Sequence, residues 1–96
     1  MNSGTIAPMP TVHFTSHLRH VAPPEPVTAA GATVAEVLAD VFARHPAIRG
    51  YVLDDQDRIR VHIAVFVDGL HVRRDILAAP VAPGSEVYIL QALSGG

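Results

Sequence analysis

Residues 33–46 read TVAEVLADVFARHP. Thr33 supplies a side-chain oxygen for an orphan amide at a helix start, and Glu36 stands three residues on, the spacing of a capping box. Val34, Val37, Leu38, Val41 and Phe42 recur at helical spacing and form one apolar stripe. Pro46 cannot continue the hydrogen-bond ladder. The pattern predicts a helix over 33–45 with a single face to bury, and His45 stands at its C-terminus, where a partly positive ring suits the dipole.

On both sides of this helix the period changes to two. Upstream, Val12 and Phe14, continued by Ser16 and Leu18, alternate with Thr11, His13, Thr15 and His17, which predicts a half-buried strand. Pro23, Pro24 and Pro26 break the chain, and a short strand at Val27–Ala29 is confined by them to a sheet edge. Downstream, a polar, aspartate-rich loop spans Gly50–Arg60, pinned to the body by Tyr51 and Leu53. Val61, Ile63, Val65 and Val67 then alternate with His62, Ala64 and Phe66, as a central strand requires. Asp68-Gly69 is a hairpin turn, with a returning strand at Leu70–Arg73 in which His71 faces His62. Asp75–Pro83 reads as irregular with a helical turn at Ile76 and Leu77, Pro83-Gly84 as a turn, and Glu86–Ala92 as the last strand. Strand, strand, helix, strand, strand, strand gives a two-layer α+β domain. It has a mixed sheet of four to five strands, one main helix on one face, and the first and last strands side by side at the centre. The expected core is Val12, Phe14, Val34, Leu38, Val41, Val61, Ile63, Val65, Val87 and Ile89.

Composition limits what this domain does. Ninety-six residues, 49% hydrophobic and 17% charged, make one small domain with a core but little room for an elaborate buried active site. The size favours a carrier, a binding module or a subunit over an enzyme. The absence of cysteine excludes disulfides, thiolate catalysis, zinc knuckles and iron–sulfur ligation, and suits a reducing cytoplasm. Without an apolar run long enough to span a bilayer, a membrane helix is not expected. Residues 1–9 read as a flexible leader without the features of a secretory signal. The formal charge is −2, with seven arginines, no lysine and no block of like charge, so nucleic acid is not an expected partner.

The polar residues do not assemble a metal or catalytic motif. His13 and His17 on one strand face lie about 13 Å apart at roughly 3.3 Å per residue, too far for one ion. His20 need not fold back to them, so all three are read as solvent-facing. Asp54, Asp55 and Asp57 fail the calcium-loop pattern, since the sixth positions counted from Asp54 and Asp55 are Ile59 and Arg60 rather than glycine. Arg58 and Arg60 are expected to neutralise these acids locally. Phosphate-cradling and hydrolase motifs are missing.

The sequence closes Leu93-Ser94-Gly95-Gly96. Two glycines without Cβ thread a channel too narrow for other residues. A terminal carboxylate is inert until activated as an acyl adenylate, after which it accepts sulfide or an amine. With this ending, four stretches, PTVHFTSHLRH (10–20), TVAEVLADVF (33–42), IAVFVDG (63–69) and VAPGSEVYILQALSGG (81–96), resemble the ubiquitin-like β-grasp sulfur carriers of the MoaD/ThiS type. The resemblance covers residues 10–96. The family commonly places a Gly-Asp-Glu-Val turn where this chain has Gly84-Ser85-Glu86-Val87, so Ser85 replaces one acid. The length and the long loop after the helix look closest to the branch that donates sulfur for cysteine synthesis.

The resemblance implies a leader at 1–9, a β-grasp domain at 10–93 and a flexible tail at 94–96. It implies a carrier with no catalytic or metal-binding residue and no cofactor of its own. A separate adenylyltransferase related to ubiquitin-activating enzymes, using ATP and magnesium, would adenylate Gly96. A sulfurtransferase or sulfide source would then convert Gly96 to a thiocarboxylate that serves a sulfur-accepting biosynthetic enzyme, of cysteine, molybdopterin or a related pathway, in the cytoplasm. Ser94 and Gly95 would thread the partner's site. If Val87 and Ile89 point inward, Tyr88 and Leu90 point away from the helix together with Ala64 and Phe66, without intramolecular partners, unless the 50–60 loop covers them. Phe66, Tyr88, Leu90 and Leu93 are therefore the expected docking surface. Two other readings stand beside this one: a ubiquitin-like modifier conjugated through Gly96, and a plain β-grasp interaction domain.

Overall fold

The computed structural model describes residues 8–15, 18, 20–23 and 25–91. The leader expected at 1–9, apart from Pro8 and Met9, lies outside the described residues, as do Ser16, His17 and the tail with Leu93, Ser94, Gly95 and Gly96.

The chain builds β1 (Thr11–Phe14), β2 (Val27–Thr28), α1 (Val34–Arg44), a 3-10 turn (Pro46–Ile48) running into the one-turn helix α2 (Arg49–Val52), then β3 (Ile63–Val67), β4 (Leu70–Val72), a second 3-10 turn (Ile76–Ala78) and β5 (Glu86–Gln91). The five strands form one mixed sheet in the order β2-β1-β5-β3-β4. β5 is central, parallel to β1 through Val12↔Val87 and Phe14↔Ile89, and antiparallel to β3 through Val65↔Ile89 and Val67↔Val87. The first and last strands are thus neighbours, as expected, and the proline-flanked β2 is an edge strand.

α1 begins as its sequence dictates. Glu36 N–H donates to Thr33 Oγ1 at 3.2 Å. The returning arm differs from the usual box: Glu36 Oε1 accepts from Ala32 N–H at 2.8 Å, one residue before the cap. Asp40 accepts from Ala30 N–H at 2.8 Å, so the segment entering the helix is held against its side. Gly31, with φ +155°, sits where that approach is tightest; a Cβ there would come within 2.6 Å of Val37 N. The C-terminus is closed by His45 N–H donating to Val41 O at 2.8 Å. Val34, Val37, Leu38 and Val41 are buried against Val12, Val65, Val87 and Ile89 of the sheet, with Phe42 half-buried beside them. Complete burial of each such aliphatic side chain contributes about 1.5–3 kcal/mol.

Two core expectations are corrected. Phe14 is half-buried at the margin of the core. Val61 is 99% exposed: Arg60 N–H donates to Val52 O at 2.9 Å and Ile63 N–H to Arg60 O at 3.0 Å, and this turn swings Val61 outward before β3 begins. The core gains Leu18, Ala29, Val52, Leu53 and Val81 instead. The 50–60 segment is consequently more ordered than a polar loop. It starts in α2, is stapled by a Leu53↔Ile59 bridge, and is pinned by Val52 and Leu53. Tyr51 is exposed, with its ring edge-on to His20 at 5.1 Å. Arg58 meets Asp54 at 3.4 Å as expected. Arg60 instead donates to Gly50 O at 2.8 Å, and Asp57 is paired by Arg49. Backbone N–H groups of Arg58 and Gln56, with the Arg58 guanidinium, hold the Asp54 carboxyl below its usual range.

The β3–β4 hairpin turns through Asp68 (φ 50°) and Gly69 (φ 86°), the doubly left-handed conformation that suits the right-handed twist of its strands. No helix among the described residues is long and apolar enough to cross a membrane.

Candidate partner-binding face and C-terminal strand

Strand alternation divides β5 cleanly. Val87 and Ile89 are buried under α1, whereas Tyr88 is 42% exposed and Leu90 half-buried on the opposite face. β3 follows suit, with Ile63 and Val65 inward and Ala64 and Phe66 outward. Register then aligns the outward residues across strands: Phe66 pairs with Tyr88 and Ala64 with Leu90. Phe66, more than twenty residues earlier in the sequence, thus joins Tyr88 and Leu90 in one surface. Val52 and Leu53 join the core beneath α1, so the segment carrying them packs on the helix side of the sheet.

The sheet extends this surface further than the sequence indicated. His13 of β1 is the register partner of Tyr88, with rings 4.1 Å apart and 6° from parallel. His71 of β4 pairs with Phe66, with rings 4.7 Å apart and 16° from parallel. His13, Tyr88, Phe66 and His71 therefore make one row of rings across four strands. This corrects three expectations. Tyr88 and Phe66 do have intramolecular partners, and His71 faces Phe66 rather than His62, which lies in the turn before β3. His13 is not simply solvent-facing either, since its Nε2 meets Glu86 Oε1 at 2.5 Å. Alternation placed His13 on the outward face; only register shows what it stacks on. His20 is exposed, and no group of three acid or histidine side chains among the described residues is arranged to hold a metal ion.

The start of β5 is anchored on the hairpin turn. Asp68 accepts from Glu86 N–H at 2.9 Å and from Ser85 Oγ–H at 2.7 Å, and Ser85 Oγ accepts from Ala82 N–H at 3.0 Å. Ser85, only 4% exposed, thus serves as a hydrogen-bonded post between the 82–85 turn and Asp68. The Glu86 amide, then the Ser85 hydroxyl, lower the Asp68 pKa. β5 ends at Gln91, two residues before Leu93 and three before the Ser94-Gly95-Gly96 ending in the sequence.

A five-stranded mixed sheet with parallel first and last strands and a single long helix on one face is the ubiquitin-like β-grasp, and solved structures agree. The chain matches the crystal structure of the Amycolatopsis orientalis BexX/CysO complex with TM-score 0.80 and 36% identity, over 91% of this chain and 99% of that chain. It matches Mycobacterium tuberculosis CysO with TM-score 0.77 and 28% identity, over 88% and 99%. It matches SAMP1 from Haloferax volcanii with TM-score 0.78 and 27% identity, over 91% and 98%. No curated protein matches the sequence significantly. The ThiS family profile matches residues 12–96, and the chain belongs to that family of ubiquitin-like sulfur carriers and modifiers.

Proposed function

We propose that this protein is a sulfur carrier that works through the Gly96 carboxylate. A separate adenylyltransferase, using ATP and magnesium, docks on Phe66, Tyr88 and Leu90, with Leu93 continuing the contact. Ser94 and Gly95 thread its active site. A carboxylate oxygen of Gly96 attacks the α-phosphorus of ATP, pyrophosphate leaves, and an acyl adenylate forms. Sulfide displaces AMP and yields the thiocarboxylate directly. The persulfide of a sulfurtransferase instead displaces AMP to form an acyl disulfide, which a thiol cleaves reductively to the same thiocarboxylate. The thiocarboxylate passes its sulfur to a biosynthetic enzyme. The chain contributes a surface and a reactive end rather than an acid, base or nucleophile.

The observation that carries this reading is the outward apolar surface on β5, whose own strand leads to Gly-Gly. Family membership supports it, and so does the relative crystallised in a BexX/CysO complex. The likeness to SAMP1, called a small archaeal modifier protein, favours one second reading, conjugation of Gly96 to an amine of a target protein, by the same activation.

Incubation with the adenylyltransferase encoded beside its gene, ATP, magnesium and sulfide separates the two by intact mass. A single sulfur-for-oxygen exchange is expected. Addition of a target protein would establish the modifier, and an unchanged mass would leave only an interaction domain.

A further inference from the structure

Away from the ring face, charge is unevenly distributed. Residues 58–78 hold four of the seven arginines, Arg58, Arg60, Arg73 and Arg74, against two acids, Asp68 and Asp75, although the whole chain carries −2. The fold gathers part of this charge along β4, one of the two edge strands of the sheet. Two clefts there share Ile59, Arg73 and Ile76 in their walls and make one continuous groove. Ile59, Ile76 and Leu77 supply its apolar lining, Arg58 and Arg73 its cationic lining, and Asp75 one carboxylate. Arg58 also meets Asp54 at 3.4 Å, an exposed pair that an incoming carboxylate would share. The 3-10 turn bearing Ile76 and Leu77 is entered through Asp75 in the left-handed conformation (φ 46°, ψ 47°), an unusual backbone for a non-glycine residue that the surroundings must hold in place. Among the described residues, no carboxylate lies within 4.0 Å of Arg73 or Arg74.

An uncovered edge strand offers backbone donors and acceptors to an added extended chain. Guanidinium groups take carboxylates in a two-pronged fit, and the apolar lining calls for side chains rather than solvent. A phosphate ligand would satisfy the arginines but leave Ile59, Ile76 and Leu77 uncovered. We propose that this groove receives an extended acidic segment of a partner protein, its carboxylates on Arg58 and Arg73 and its intervening apolar side chains against Ile59, Ile76 and Leu77. The groove meets the ring row only at His71, which lines one cleft and stacks on Phe66, and the proposal stands whether or not Gly96 carries sulfur.

The test is a titration of the isotope-labelled full chain with a capped peptide alternating glutamate and valine, alongside its lysine–valine counterpart, AMP and a uridine oligonucleotide. The acidic peptide is expected to shift the amides of Ile59, His71, Val72 and Arg73, to bind more weakly as salt rises, and to lose about tenfold in affinity or more with Arg73→Glu. Arg58→Glu gives the same loss from the other end of the groove, and thermal melts confirm that both variants remain folded. The proposal is overturned by silence up to about 1 mM peptide, by equal binding of the lysine peptide, or by shifts centred on Tyr88. It is equally overturned by affinity unchanged in both variants, or by tighter binding of AMP or the oligonucleotide.

Discussion

Asp68 and Glu86 bind each other twice. The Asp68 carboxylate accepts from Glu86 N–H at 2.9 Å, and Asp68 N–H donates to Glu86 O at 2.8 Å. The hairpin turn and the first residue of the central strand are thereby locked in one register, and every outward residue of β5 takes its position from that lock.

The lock has a pH dependence with a definite sign. The Asp68 pKa is lowered in the folded protein, so its contribution is present above the unfolded carboxylate pKa, near 4, and is lost as pH falls through the lower folded value. The melting temperature of Asp68→Asn should therefore lie below wild type at neutral pH and converge on it in acid. Parallel curves from neutral pH down to about 3 would remove Asp68 from the account of acid stability.

Val61 and Leu38 test the two sides of the burial pattern. Leu38→Ala removes a side chain that is 1% exposed and should cost about 2–5 kcal/mol. Val61→Ser should stay within about 0.5 kcal/mol. Urea unfolding of both variants checks this, and a costly Val61→Ser would mean that β3 starts earlier than Ile63.

Gly31→Ala should destabilise although it adds one methyl group at a half-buried position. The new Cβ would press on Val37 N and Glu36 C, at 2.6 and 2.9 Å. Those atoms belong to a helix start that Ala30 N–H and Ala32 N–H tie in place. A loss of about 1–3 kcal/mol is expected, read as a lower urea midpoint with unchanged slope.

The proposed docking surface and the proposed reactive end should separate by mutation. Leu90→Arg should weaken binding of the adenylyltransferase with Gly96 intact, and deletion of Gly96 should abolish adenylation with the melting temperature unchanged. Binding is read by calorimetry and adenylation by pyrophosphate release. A chain without Gly96 that is still adenylated and still delivers sulfur would refute the carrier reading.

Where local chemistry decides structure, the sequence was legible. Thr33, Glu36 and the valine–leucine stripe define α1 because a cap and a period act over a few residues. Alternation sorted Val87 and Ile89 from Tyr88 and Leu90 because one face must be buried. The misreadings arose where a distant partner decides. Val61 continues the β3 alternation perfectly, yet the turn held by the Arg60–Val52 hydrogen bond delays the start of the strand to Ile63. Pro46 does end α1, as it reads, but the 3-10 turn it opens and α2 behind it bury Ile48 and Val52, which the polar-loop reading of 50–60 did not anticipate. His13 and His71 joined the ring row only once cross-strand register was known, and no local signal in either segment carries that register.

The central position of β5 has a consequence for assembly. β1 and β3 make no ladder with each other; each is joined to the sheet's other half only through β5. Folding must therefore wait for the strand farthest along the chain, a non-local pairing that slows the search. A chain interrupted before Glu86 holds two separate strand pairs with no common centre. Any molecule that displays Tyr88 and Phe66 side by side has already completed its sheet, so a partner that reads this face checks the integrity of the whole fold before it engages the end of the chain.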